Sequence, residues 1–253
     1  MLLAIDIGNT NIVFGVHDGQ QWIHHWRVQT VRNRMPDEYA VLFQGFLQEA
    51  GLKLNGFERV VLSSVVPQLT QGIAGMVAQR TGRDPLVIRP TSTRLGLEIR
   101  TDQPDKVGTD LLANAVAAYE RFQCDCIVVD FGTATTFTVV TRPGVFMGAA
   151  IAPGLNVALD ALVSRTAQLP QIELVPPPSP IGRNTVHAMQ SGLVLGYIGL
   201  VEGLVARIRR EIEEARVIAT GGLSSVIGPL TECVDEVDPW LTLDGLRLIA
   251  ERN

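Results

Sequence analysis

The chain opens on LLAIDI, an apolar run broken only by Asp6, then turns at Gly8-Asn9 into a second apolar run, NIVFGV. After another turn at Asp18-Gly19, residues 22–29 alternate between apolar and polar positions. Buried-looking runs joined by turn residues, followed by a period-2 segment, predict an antiparallel meander. Pro36 and Asp37 start a helix that Gly51 stops, predicted over 36–50. RVVLSS at 59–64 reads as a strand, 69–81 as a helix ending at Gly82, and 85–89 as a short strand. Strands alternating with helices indicate an α/β layered fold.

The pattern then recurs. TDLLANAVAAYERF, from Thr109, has helical spacing with Thr109 as its cap, and CIVVDFGTATTFTVV follows. Set side by side, IDIGNTNIVFGV and VDFGTATTFTVV each carry Asp, then Gly two residues later, between β-rich runs. Residues 185–212 read as one long helix containing Gly192, Gly196 and Gly199, RVIA at 216–219 as a strand entering Thr220-Gly221-Gly222, and LTLDGLRLIAERN as a closing helix. The expectation is two related halves, 1–113 and 114–253, each a mixed sheet flanked by helices.

The 253 residues are 46% hydrophobic and 19% charged, enough apolar material for a packed core. A formal net charge of −5 argues against nucleic-acid binding driven by phosphate contacts. The longest apolar stretch noted, 145–163, is interrupted by Pro153, Gly154, Asn156 and Asp160, so no membrane span is expected. With no basic residue ahead of Asp6 and no secretory leader pattern, a cytoplasmic location is expected. Cys124, Cys126 and Cys233 have no metal-site spacing and read as buried reduced thiols. His17, His24, His25 and His187 have no partner at ligand spacing.

The chemistry concentrates in three turns. In DIGNTN, Asp6 ends a buried strand, where a carboxylate calls for a positive partner such as Mg²⁺. Gly8 lets backbone N–H groups approach a phosphate closely, and Thr10 and Asn11 add polar contacts. DFGTATT at 130–136 is a second acid-glycine-hydroxyl turn, and TGG at 220–222 is a third glycine-rich turn after a strand.

Together these motifs resemble the duplicated ribonuclease-H-like core of the acetate and sugar kinase, Hsp70 and actin superfamily. Within it the chain is similar to the type III pantothenate kinase, or Bvg accessory factor, family. The resemblance rests on DIGNTN (6–11), P-x-x-VGTD (104–110), LANAVAA (112–118), DFGTATTF (130–137), GAAIAPGL (148–155), GRNT-x-x-AMQSGL-x-x-GY (182–197), TGGL (220–223) and LTLDGL (241–246). It implies two ribonuclease-H-like halves and ATP-dependent phosphorylation of pantothenate, the first step toward coenzyme A. By position, Asp6, Ile7, Gly8, Asn9, Thr10, Asn11, Ile12 and Val13 bind the ATP phosphates, Asp6 together with a Mg²⁺ ion. Thr133 contacts the nucleotide, Gly221 and Gly222 lie near the adenosine, and Asp130 ligates a monovalent cation, K⁺ or NH₄⁺. The resemblance makes Asp110 the general base and assigns the acceptor to Thr101, Gly108, Thr109, Asp110, Leu111 and Thr185. Thr185 matches a position that reaches the neighbouring subunit's pantothenate, which implies a homodimer with the acceptor pocket near its interface.

The sequence departs from the family pattern on the acceptor side. VGTDL stands where VGADR is usual, so Leu111 replaces an Arg that contacts pantothenate, and Thr101, Thr138 and Ala149 replace a Tyr, an Asp and a Gly. Arg100, Lys106 and Arg183 are candidates to supply the missing charge. Two other readings stay open: a kinase of the same superfamily acting on another hydroxyl acceptor, and a non-catalytic regulator working through a protein partner.

Overall fold

The computed structural model describes all 253 residues, which divide into two compact units. The first comprises residues 1–117 and 242–253, the second residues 118–241. The expected boundary at 113/114 and this division after residue 117 fall within the same helix, Thr109–Phe122. The division also assigns the closing helix, expected in the second half, to the first unit.

The first unit is built on β1 (Leu2–Ile7), β2 (Asn11–His17) and β3 (Trp22–Gln29), the predicted meander. α1 (Pro36–Glu49), β4 (Arg59–Ser64), α2 (Pro67–Thr81) and β5 (Leu86–Val87) follow. The sheet order is β3-β2-β1-β4-β5, with β1, β4 and β5 parallel and the hairpins antiparallel. β1 and β2 are buried on both faces, which explains their unbroken apolar runs, whereas β3 alternates between half-buried and exposed positions. Leu3, Ile5, Ile7, Ile12 and Phe14 pack with Tyr39, Phe43, Leu47, Ile73 and Val77 of α1 and α2. β6 (Glu98–Ile99) and a 3₁₀ turn at Pro104–Lys106 lead to α3 (Thr109–Phe122).

The second unit repeats the plan. β7 (Cys126–Phe131), β8 (Ala134–Thr141) and β9 (Val145–Pro153) form its meander. α4 (Leu155–Arg165), α5 (Thr185–Gln190) and α6 (Gly196–Ile212) precede β10 (Arg216–Thr220), and α7 (Ser224–Ile227) precedes β11 (Glu236–Val237). Its strands run β11-β10-β7-β8-β9, so β7 takes the place of β1, β8 of β2, and β10 of β4. Ile127, Val129, Phe131 and Phe137 pack on Val194, Tyr197, Val201 and Val205 of the helical layer.

The helix expected over 185–212 is interrupted by a π turn at Ser191–Leu195. Ser191 donates its hydroxyl to the Pro180 carbonyl at 2.5 Å, and neither Gly192 nor Gly196 has a side chain to hold the regular winding. Thr185–Ile212, rather than 145–163, is the segment long and apolar enough to cross a bilayer, with a mean hydropathy of 1.5 over 18 residues. Its Tyr197, Val201 and Val205 are instead spent on the core of the second unit.

α8 (Leu241–Arg252) joins the first unit because Gly245 lies against the Ala113 backbone, where a Cβ would overlap the Ala113 carbonyl. Asp244 accepts the Trp22 indole N–H at 2.9 Å, and Thr242 donates to Asn114 at 2.7 Å. Among the cysteines, Cys126 is buried, but Cys124 and Cys233 are only half-buried, a correction to the expectation for all three. Cys124 precedes β7 rather than lying within it, with its sulfur 3.9 Å from that of Cys126.

Candidate active site

In the first unit the turn between β1 and β2 is closed by Gly8 N–H donating to the Asn11 carbonyl at 3.0 Å. A Cβ at Gly8 would stand 3.1 Å from that carbonyl, so the tight turn favours glycine. Thr30, just past β3, clamps the turn from outside. Its hydroxyl donates to the Gly8 carbonyl at 2.7 Å and its N–H to the Thr10 carbonyl at 2.8 Å. Asn9, Thr10 and Asn11 are exposed, leaving the loop open to a ligand, while Ile7 and Ile12 are anchored in the core. Val13 pairs with Asp6 across the hairpin.

Beside Asp6 lies Ser63, its register partner on the parallel strand β4. The Ser63 hydroxyl is 2.9 Å from the Thr109 hydroxyl, and Ser64 donates its N–H to Thr109 Oγ1 at 3.1 Å. The start of α3, with Asp110 one residue further on, is therefore fastened to the carboxyl end of the strand next to Asp6. Thr109 is not the cap expected of it. It lies inside the first turn, where Leu112 donates to the Gly108 carbonyl at 3.2 Å. Gly108 leaves room for the Asp110 carboxylate, since a Cβ there would be 2.5 Å from Asp110 Oδ1. That oxygen also accepts the Leu111 N–H at 2.8 Å. Burial pushes the Asp110 carboxyl above the usual aspartate value, opposed by the backbone bond from Leu111. Leu111 is buried, and the Thr101 hydroxyl is buried with no hydrogen-bond partner.

In the second unit Asp130 holds the position in β7 that Asp6 holds in β1. Thr136 of β8 and Thr220 of β10 are its register partners on either side, so the three side chains share one face. The hydroxyls of Thr136 and Thr220 are buried and make no hydrogen bond. The Gly132-Thr133 turn is closed by Gly132 N–H donating to the Ala134 carbonyl at 3.1 Å, and Gly154 N–H donates to the Thr133 carbonyl at 3.0 Å. Gly221 has φ +89°, and a Cβ there would overlap Asp130 Oδ1. The third glycine turn is thus pressed against the acid of the second. Gly222 is exposed and unobstructed, and Thr185 is exposed at the start of α5, whose cap is Asn184 accepting from His187 N–H at 2.8 Å.

The structure therefore groups Asp6–Val13 with Gly108–Leu111 in one unit, and Asp130, Thr133, Gly221 and Gly222 in the other. Sequence reasoning missed Ser63 and Thr30, and it quoted Thr136 and Gly154 within motifs without giving either a role. The one available signal was a polar Ser63-Ser64 pair ending an otherwise apolar strand.

A model of the type III pantothenate kinase family matches residues 2–207. The chain belongs to that family. A type III pantothenate kinase from Moorella thermoacetica is 49% identical over 254 aligned residues, covering 100% of both chains. One from Geobacter sulfurreducens is 46% identical, covering 100% of this chain and 99% of its own. Among solved structures, a Baf-family protein of Campylobacter jejuni aligns with a TM-score of 0.61 at 18% identity, over 98% of this chain and 97% of its own. A 2-dehydro-3-deoxygalactonokinase-like protein of Sinorhizobium meliloti aligns with a TM-score of 0.62 at 12% identity, over 99% and 96%. The kinase therefore shares the fold of sugar kinases and their ribonuclease-H-like relatives, with two mixed sheets each flanked by helices.

Proposed function

We propose that this kinase transfers the γ-phosphoryl group of ATP to the pantothenate hydroxyl, forming 4′-phosphopantothenate at the entry to coenzyme A biosynthesis. The observation that carries the acceptor is the full-length identity of 49% with a protein of that name. Asp6–Val13 cradle the phosphates, Thr133 contacts the nucleotide, and Gly221 and Gly222 leave space for the adenosine. Asp110 takes the proton of the attacking hydroxyl. Its desolvation raises its basicity, which suits a group that must accept a proton as the new O–P bond forms. Thr101, Gly108, Thr109 and Leu111 line the acceptor side. The unpartnered Thr101 hydroxyl is available to a ligand.

Carboxylates with hydroxyl-bearing register neighbours, Ser63 beside Asp6 and Thr136 and Thr220 beside Asp130, suit hard cations. Asp6 would hold Mg²⁺ together with ATP. Asp130 would hold K⁺ or NH₄⁺, for which the two unpartnered hydroxyls of Thr136 and Thr220 are fitting neighbours. Such ions supply neutralisation of phosphate charge.

The enzyme acts in the cytoplasm as a homodimer, with Thr185 of one subunit serving the acceptor pocket of the other. The exposed Gly192, Gly196 and Gly199 allow close backbone approach there.

Leu111 favours a second reading, a kinase for another small hydroxyl compound, because a buried leucine cannot pair with the pantothenate carboxylate. Arg100, one candidate replacement, is already held by Glu98 at 3.0 Å. Lys106 and Arg183 form no ion pair and remain the candidates. A coupled ATP-turnover assay separates the readings. Pantothenate-dependent turnover that needs K⁺ or NH₄⁺ and is lost in Asp110→Asn supports the first. Nucleotide binding without pantothenate turnover supports the second.

A further inference from the structure

Accepting the phosphate-loop reading raises a question of charge. None of residues 6–13, 108–111, 130–136 or 220–223 is Lys or Arg. Phosphoryl transfer spreads negative charge over three equatorial oxygens and depends on fixed positive groups to stabilise it. A basic side chain that meets the first loop is Arg32. Arg32 Nη2 stands 3.5 Å from Asn9 Oδ1, too long for a strong hydrogen bond but close enough to fix where the guanidinium lies.

We propose that Arg32 is a charge-neutralising side chain of the first phosphate loop, engaging the terminal phosphoryl group of the bound nucleotide. Its backbone is held on both preceding residues. Thr30 is bonded twice to the loop itself, and the Tyr39 hydroxyl, on a fully buried ring, accepts the Val31 N–H at 2.9 Å and donates to the Val31 carbonyl at 3.2 Å. The base of the arginine is therefore fixed relative to Gly8 and Thr10 while its head is exposed. Arg32 forms no ion pair. Arg34, two residues on, is already engaged. It lies 5.3 Å from the Tyr39 ring centre and 3.9 Å from a Glu38 carboxylate oxygen. Arg32 also borders a 240 Å³ cavity shared with Met35, Tyr39, Leu69 and Gly72. A planar guanidinium matches two phosphoryl oxygens at once and, unlike a backbone N–H turn, brings a full positive charge to them.

The inference rests on the proposed kinase site, and the test separates the two. Arg32→Ala, Arg32→Lys and the parent are titrated calorimetrically with a non-hydrolysable ATP analogue and with ADP, then assayed for turnover with pantothenate. In Arg32→Ala the triphosphate is expected to bind about tenfold more weakly, with ADP changed by less than about twofold. Turnover is expected to fall about 10²-fold, with partial recovery when dilute guanidinium is added. Arg32→Lys falls between the two. Equal affinities and rates in parent and Arg32→Ala overturn the proposal. So does an equal loss for ATP analogue and ADP, the mark of a structural role. If the parent binds nucleotide but ignores pantothenate, the acceptor reading fails while the ratio of triphosphate to diphosphate affinity still decides the role of Arg32.

Discussion

Ser63 and Thr109 hold their hydroxyls 2.9 Å apart, and this contact ties the first turn of α3 to the strand that runs beside Asp6. Thr109→Val keeps the shape but leaves the Ser63 hydroxyl and the Ser64 N–H without their partner. Stranding buried polar groups costs about 1–3 kcal/mol, which urea unfolding will read. Because the same contact positions the residue before Asp110, the proposed general base, turnover should fall by about tenfold or more while nucleotide affinity stays near parental. Thr109→Ser restores the hydroxyl and should recover most of both losses.

Asp110 trades stability for basicity. Its folded pKa lies above the ordinary aspartate value because burial penalises the charge. The folded state therefore holds that proton more tightly than the unfolded chain does. The stabilisation this gives is fully present below the unfolded pKa and is lost as pH rises through the folded one, so at neutral pH the buried carboxylate is a burden. Asp110→Asn should melt at a higher temperature than the parent at neutral pH, with the difference vanishing in acid. Turnover should drop by about 10²- to 10⁴-fold. In the parent, the acidic limb of kcat against pH should lie above the range of an exposed aspartate. A parental melting temperature at or above that of Asp110→Asn at neutral pH contradicts the linkage.

Much of this was legible in the chain because it is local. The two Asp-x-Gly turns sit between apolar runs that can only be buried strands, and their repetition announced the repeated sheet. What escaped depends on which strands become neighbours. Nothing near Ser63 in sequence names Thr109, 46 residues away, as its partner. Thr109 looked like a helix cap because Thr before a helical run usually is one, and the tertiary contact overrode that role. α8 comes after β11, at the end of what reads in sequence as the second half, so its return to the first unit was invisible until Gly245 was found against Ala113. Arg32 was missed because the segment after β3 carries no motif of its own.

Gly221 combines φ +89° with direct contact to Asp130, two constraints that only glycine meets together. Gly221→Ala adds a strained backbone and a methyl that overlaps the Asp130 carboxylate. Backbone strain of this kind alone costs about 1–3 kcal/mol. Gly222→Ala, at an open position, is the matched control. The first variant should lower the melting temperature and weaken ATP binding, and the second should leave stability close to parental. Equal behaviour of the two would mean that the contact between the third turn and Asp130 is dispensable.

Thr220 and Thr136 flank Asp130 with buried hydroxyls that lack partners, an arrangement whose stability should depend on what binds there. A buried hydroxyl with no hydrogen bond costs free energy, whereas a methyl of the same size does not. Thr220→Val should therefore be as stable as the parent, or more so, in buffers containing only sodium or a bulky organic cation. If the hydroxyl oxygen helps hold a monovalent cation beside Asp130, the ordering reverses once K⁺ is present. The parent then gains stability by binding the ion in the folded state alone, and Thr220→Val gains less. Melting curves across a K⁺ series should cross, and the K⁺ concentration giving half-maximal turnover should rise in the variant. Parallel curves with an unchanged K⁺ requirement would remove Thr220 from the cation site and leave Asp130 to act with other oxygens.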